Sequence, residues 1–135
     1  MRSTVLLMSI ATLSFQIAAD AREIRHDAIP ESFWGTWAPS TGSCKDADNA
    51  PIVLSAKSYA GPAGSCVIDY VTEVPGRGGA IYSARMSCPG SKSQTKTTAN
   101  LIIRSGTAEQ ISLGPTFEGL AAHQRCPAGE PSKQQ

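Results

Sequence analysis

From Cys66 to Val74 the chain reads CVIDYVTEV, and its side chains alternate with a period of two. Cys66, Ile68, Tyr70, Thr72 and Val74 share one face, and Val67, Asp69, Val71 and Glu73 share the other. That alternation predicts a strand whose first face turns to a core. PGRGG, residues 75–79, follows as a turn by composition. AIYSARMSC, residues 80–88, resumes the alternation, with Ala80, Tyr82, Ala84, Met86 and Cys88 on one side. The two strands and the turn predict a β-hairpin.

The same logic extends in both directions. IVLSAK, 52–57, predicts a strand with Ile52, Leu54 and Ala56 inward. KTTANLIIR, 96–104, predicts another with Thr97, Ala99, Leu101 and Ile103 inward, and EQISL, 109–113, aligns Ile111 with Leu113. FWGTWA, 33–38, supplies the first strand, and GLAAHQRC at 119–126 is read as the last rather than as a short helix. No segment holds a helical period for three turns. The expected fold is all-β, a small antiparallel meander of six to seven short strands. Closing it into a barrel removes the unpaired edges that an open meander would leave.

The ends of the chain follow a different pattern. Arg2, the apolar run Thr4–Ala18 and the small residues of Ala19-Asp20-Ala21 have the three-part layout of a secretory signal peptide, residues 1–21. The run is shorter than the about 20 apolar residues of a membrane span. The expectation is cleavage after Ala21 and a periplasmic or secreted product without a stable membrane anchor. Residues 22–32 are charged and carry Pro30, so they read as a flexible lead-in to a domain at 33–126; residues 127–135 read as a disordered tail.

Charge narrows the function. Removal of Arg2 and Asp20 with the signal leaves 11 Lys and Arg against 10 Asp and Glu. Such a balance offers no electrostatic basis for binding nucleic acid or an anionic membrane. The four cysteines, Cys44, Cys66, Cys88 and Cys126, are spaced by 22, 22 and 38 residues without a C-x-x-C pair. An even count in a short exported chain reads as two disulfides and not as a zinc site. Two pairings stay open: 66–88 with 44–126, which joins the two ends of the hairpin, or 44–66 with 88–126, which needs the 39–51 loop to fold over the barrel mouth.

Each candidate for chemistry is outweighed by a structural reading. Trp34 and Trp37 lie three apart, on opposite faces of a strand, with Gly35 between them. Gly35 and Trp37 read as a structural plug, since indoles are mostly core material. Asp46, Asp48 and Asn49 in KDADNAP lack the glycine and glutamate of a calcium loop and read as a turn. His26 and His123, the two histidines, have no G-x-S-x-G elbow or H-E-x-x-H motif to serve and read as exposed. Arg85, Lys92, Lys96 and Arg104 read as a solvated basic side. No catalytic, metal or cofactor residue is expected.

The motif Phe33-x-Gly35-Thr36-Trp37-Ala38 followed by four cysteines resembles a group of small alphaproteobacterial periplasmic proteins that carries no settled function. Gly35, Trp37, Cys44 and Cys66 are also similar to the bacterial metalloprotease-inhibitor family, small periplasmic barrels that block secreted zinc proteases. That resemblance implies that the 22–31 arm enters a protease cleft. The chain has two further cysteines and lacks that family's later tryptophan. Gly35-Thr36-Trp37 alone resembles the G-x-W of lipocalins. Together these readings point to an exported, non-enzymatic binding protein of the cell envelope, a hydrolase inhibitor in its most concrete form, with a secreted or envelope protein as partner. The alternative is a lipocalin-like barrel for a small ligand, which would need an interior cavity of about 300 Å³ or more.

Overall fold

The computed structural model describes residues 22–45, 51–62, 64–90 and 95–127. Residues 1–21, read as a signal peptide, Asp46–Asn49, read as a turn, Lys92, and residues 128–135, read as part of a tail, lie outside the described residues. Nine strands are described: β1 (Ile24–His26), β2 (Gly35–Pro39), β3 (Ile52–Leu54), β4 (Ser58–Gly61), β5 (Gly64–Val74), β6 (Ile81–Cys88), β7 (Thr97–Arg104), β8 (Gln110–Gly114) and β9 (Ala121–Arg125). A single 3-10 turn at Glu31–Phe33 precedes β2. Each strand from β2 to β9 pairs antiparallel with its successor, and β2 pairs with β9, so eight strands close into an up-and-down barrel. The ninth, β1, adds to the free edge of β5.

The strand count exceeds the expected six to seven for two reasons. Ser58–Gly61 is short and rich in small residues, and turn chemistry masks it, yet it pairs with both β3 and β5. The strand expected over 52–57 breaks at Leu54, because Ser55–Lys57 reverses the chain: the Ser55 N–H donates to the Ser58 carbonyl at 3.0 Å. Ala56 therefore belongs to a turn. The lead-in expected to be flexible supplies the other strand. Ile24, Arg25 and His26 pair with Glu73, Thr72 and Val71.

The face assignment of β5 also changes. The register slips between Ile68 and Tyr70, where Asp69 bulges out of the ladder. One inserted residue exchanges the two faces beyond it. Cys66 and Ile68 point inward as expected, but past the bulge Val71 is the buried residue. Tyr70 and Thr72 accordingly move to the outer face.

The interior is filled by side chains. Trp37, Leu54, Tyr59, Ile68, Val71, Met86, Leu101, Ile103, Ile111 and Leu113 form one buried cluster, with Phe33 and Ile29 reaching in from the N-terminal segment. Eight strands give a barrel just wide enough for such filling. Gly61 makes one part of it possible. A Cβ there would lie 2.5 Å from the Tyr59 hydroxyl and 3.2 Å from Ile52, so the missing side chain is where the phenol sits.

Two disulfides hold the wall, and their pairing is Cys66–Cys88 with Cys44–Cys126. The first links β5 to β6, beside the pair Val67–Ser87. The second fastens the segment after β2. Ser40 donates to the Ala122 carbonyl at 2.9 Å, Gln124 Nε2 donates to the Gly42 carbonyl at 2.9 Å, and Cys44 reaches Cys126. The described part of the 39–51 loop thus runs along β9 instead of folding over a mouth. Disulfides of this kind fit an oxidising, extracytoplasmic compartment. Among the described residues no helix is long and apolar enough to cross a membrane.

Candidate interaction surface at the end where β2 begins

β2, β6 and β8 begin at one end of the barrel, and β3, β5, β7 and β9 finish there. The N-terminal segment crosses that end. It leaves β5 after His26, donates from the Ile29 N–H to the Ala56 carbonyl at 2.9 Å, and makes the 3-10 turn before β2. Ile29 and Phe33 are the two side chains it buries. Phe33 meets Tyr82 edge-on, with ring centroids 5.1 Å apart, a favourable aromatic arrangement.

Trp37 and Arg125 fasten this crossing. Trp37 is fully buried, and its Nε1–H donates to the Phe33 carbonyl at 2.9 Å. Arg125 stands opposite Trp37 in the β2–β9 register, with its guanidinium 4.3 Å from the ring centroid. Its Nε, Nη1 and Nη2 donate to the carbonyls of Ala108, Trp34 and Ser32 at 2.9, 2.7 and 2.8 Å. Gly35 is needed beneath it: its φ is +125°, and a Cβ would come within 3.1 Å of Arg125 Nη1. The planar fork of arginine serves three carbonyls in three directions, which a lysine cannot do. Arg125→Lys is therefore expected to cost about 2 kcal/mol, since hydrogen bonds to a charged group contribute about 1.5–3 kcal/mol each and the ammonium retains some. Urea denaturation of the two proteins measures it.

A polar cluster lies beside Phe33. His26 Nε2 is 2.6 Å from Glu73 Oε2, and the Tyr82 hydroxyl donates to Glu73 Oε1 at 3.2 Å. On the opposite face of β1 the Arg25 guanidinium sits 3.9 Å from the centroid of Tyr70. Burial raises the Tyr82 pKa above its ordinary value, and the charge of Glu73 and the hydrogen bond to it push the same way. Burial alone raises Tyr59. A phenol whose folded pKa is raised holds its proton longer in the native state, so its stabilising effect is complete below pH about 10 and fades as pH climbs past the folded value. Stability is expected to fall in that alkaline range, and Glu73→Gln is expected to bring Tyr82 ionisation to lower pH. Phenolate absorbance followed through the titration reads both effects.

Two residues stand elsewhere than expected. His123 is buried and not exposed: it lies on the inward face of β9 opposite Ile111, and its Nδ1 is 2.8 Å from the Ala121 carbonyl. His26, expected to be exposed in a flexible lead-in, is half-buried and held against Glu73. Trp34 is partly exposed at 39%, with its Nε1–H donating to the Ile29 carbonyl at 2.8 Å. Arg104 donates to the Arg77 carbonyl at 3.2 Å. Among the described residues no group of three His, Cys, Asp or Glu side chains is placed to hold a metal. Arg25, Tyr70, Glu73, Tyr82 and Arg125 were not among the candidates for chemistry in the sequence reading. Arg125 carried a usable signal, being adjacent to Cys126 in the strand that must close against Trp37.

One open groove of about 480 Å³ lies on the outer wall of β4, β5 and β6, over Val67 and Ser87 with Lys96 at its rim. It is separated from the N-terminal crossing by the Asp69 bulge. In comparisons with known proteins the chain matches no family model, no curated protein and no solved structure.

Proposed function

We propose that the chain is an exported, non-enzymatic binding protein of the cell envelope. It recognises a secreted or envelope protein, and its most concrete form is a hydrolase inhibitor. The observation that carries this reading is the division of labour between inside and outside. Trp37, Met86, Leu101 and their neighbours occupy the barrel interior, which favours an external surface for binding over the lipocalin-like alternative.

The N-terminal crossing supplies such a surface. Ile24 is 51% exposed and Trp34 39%, on a segment otherwise charged through Arg22, Glu23, Arg25, Asp27 and Glu31. Apolar anchors within a charged rim are the anatomy of a protein interface. The crossing is held by Arg125, Trp37 and Ile29, so it can be presented with little loss of conformational entropy. Titration of the mature chain against a panel of secreted proteases and muramidases tests the proposal. Stoichiometric inhibition of at least one enzyme, weakened about tenfold or more by Trp34→Asp, is the expected result. No inhibition across the panel would count against the inhibitor form.

A further inference from the structure

β5 is eleven residues long, more than twice the length of β4 beside it. β4 covers its edge only from Gly64 to Val67. Beyond the bulge, the edge from Val71 to Glu73 is covered by β1 alone, through three residue pairs. Two side-chain contacts support that short ladder, and both set a nitrogen group of β1 against an electron-rich group of the barrel. Arg25 lies over the Tyr70 ring on the outside, and His26 meets Glu73 on the inside. Tyr82 holds the other oxygen of Glu73, which leaves Oε2 for whatever occupies the edge.

We infer that Tyr70, Glu73 and Tyr82, with the β5 edge between Val71 and Glu73, form a docking site for an extended cationic segment of a partner protein, which the chain's own Arg25–His26 fills until the partner displaces it. This deepens the proposed protein-binding role, on which it rests, by naming a surface and the chemistry of its partner. The ladder supplies affinity that does not depend on side chains, as in strand addition to a sheet edge. Selectivity comes from two consecutive positions on opposite faces of the added strand: a guanidinium or ammonium for the Tyr70 face, then a donor for Glu73. An acidic segment would meet the Glu73 carboxylate and the negative face of the ring, and both repel it. The arm can leave without dismantling the core. Its anchor is Ile29, buried and bonded to Ala56, three residues after the last ladder pair. Displacement therefore moves only residues 22–28.

The test uses the mature chain carrying Arg25→Ser and His26→Ser, which loosens the arm without shortening the protein. The isotope-labelled variant is titrated with a synthetic peptide identical to residues 22–28 of the native chain. Amide shifts confined to the displaced residues 22–28, to Tyr70–Glu73 and to Tyr82 are expected, and they saturate. Binding weakens about tenfold or more for a peptide with Arg25→Glu, and the native peptide binds more weakly when the protein also carries Glu73→Gln. The single variant Arg25→Ser, run in parallel, keeps the His26–Glu73 pair and is expected to bind the same peptide more weakly. An unshifted Trp37 indole resonance confirms the fold in each variant. Shifts elsewhere, equal binding of the charge-reversed peptide, or no shift at the highest soluble peptide concentration overturns the inference. So does light scattering that shows the unmodified chain to be a dimer through exchanged arms, since that assigns the edge to a second copy. Inhibition of a hydrolase with a silent peptide titration would leave the binding role standing and remove this site from it.

Discussion

Trp37→Ala is expected to lower the unfolding free energy by about 3–5 kcal/mol, the range for deleting a large aromatic from a packed core. Trp37 is fully buried, so the full cavity cost applies. The change also removes the donor to the Phe33 carbonyl and the ring under the Arg125 guanidinium. A small domain has about 5–15 kcal/mol in total, so the variant would sit near the limit of folding. Trp34→Ala is the matched comparison. Its ring is partly exposed and its loss frees the carbonyl of Ile29, so about 1 kcal/mol is expected. Urea midpoints for the two variants decide the matter. Similar losses would mean that Trp37 is not the plug of this end.

Removing Cys44–Cys126 by paired alanine substitution is expected to cost about 4.5 kcal/mol, against about 3.4 kcal/mol for Cys66–Cys88. The chain-entropy relation gives these values for loops of 82 and 22 residues. A second effect separates the two bridges more strongly than their loop lengths do. Cys66 and Cys88 belong to a strand pair with seven further registered partners, so the hairpin retains its ladder without the bond. Cys44 sits outside any strand ladder, in a segment whose contacts with β9 include the Ser40 and Gln124 hydrogen bonds, so loss of its bridge loosens residues 40–45 from β9. Protease accessibility at Lys45 is expected to rise in the Cys44/Cys126 double variant and to stay low in the other. Equal accessibility would contradict the described path of this loop.

How far the fold was legible depended on whether a strand kept its period. Ile111 with Leu113 and Leu101 with Ile103 keep a spacing of two, and both pairs are buried as that spacing requires, with Ile102 buried as well. β9 was legible as a strand although its residues, AAHQR, have little β-propensity, because a barrel must close. The bulge at Asp69 was not legible, since a single extra residue leaves no compositional mark yet reverses every face after it. β4 was hidden by the turn-forming character of Ser58 and Gly61. β1 was hidden by its charge, because Arg25 and His26 look solvated until Tyr70 and Glu73 are brought beside them.

The candidate surface was legible only in outline. The alternation placed Gly35 and Trp37 at a strand start, and the resemblance to inhibitor barrels directed attention to the 22–31 arm. What the arm rests on depends on pairs separated by 45 and 47 residues, Arg25 with Tyr70 and His26 with Glu73. Long-range partners of that kind follow from strand register, and the register here depends on the bulge. Arg125 is similar, for its three acceptors are backbone carbonyls, which any residue supplies.

The central claim is that this barrel is filled and binds through its exterior. Native mass spectrometry of the protein isolated under mild conditions from the cells that produce it tests it most directly. The account predicts a chain starting at Arg22 with four cysteines oxidised, accompanied by a second polypeptide and by no small molecule. A chain that instead carries a discrete mass of a few hundred daltons, released only on unfolding, would place a ligand inside the barrel and contradict it.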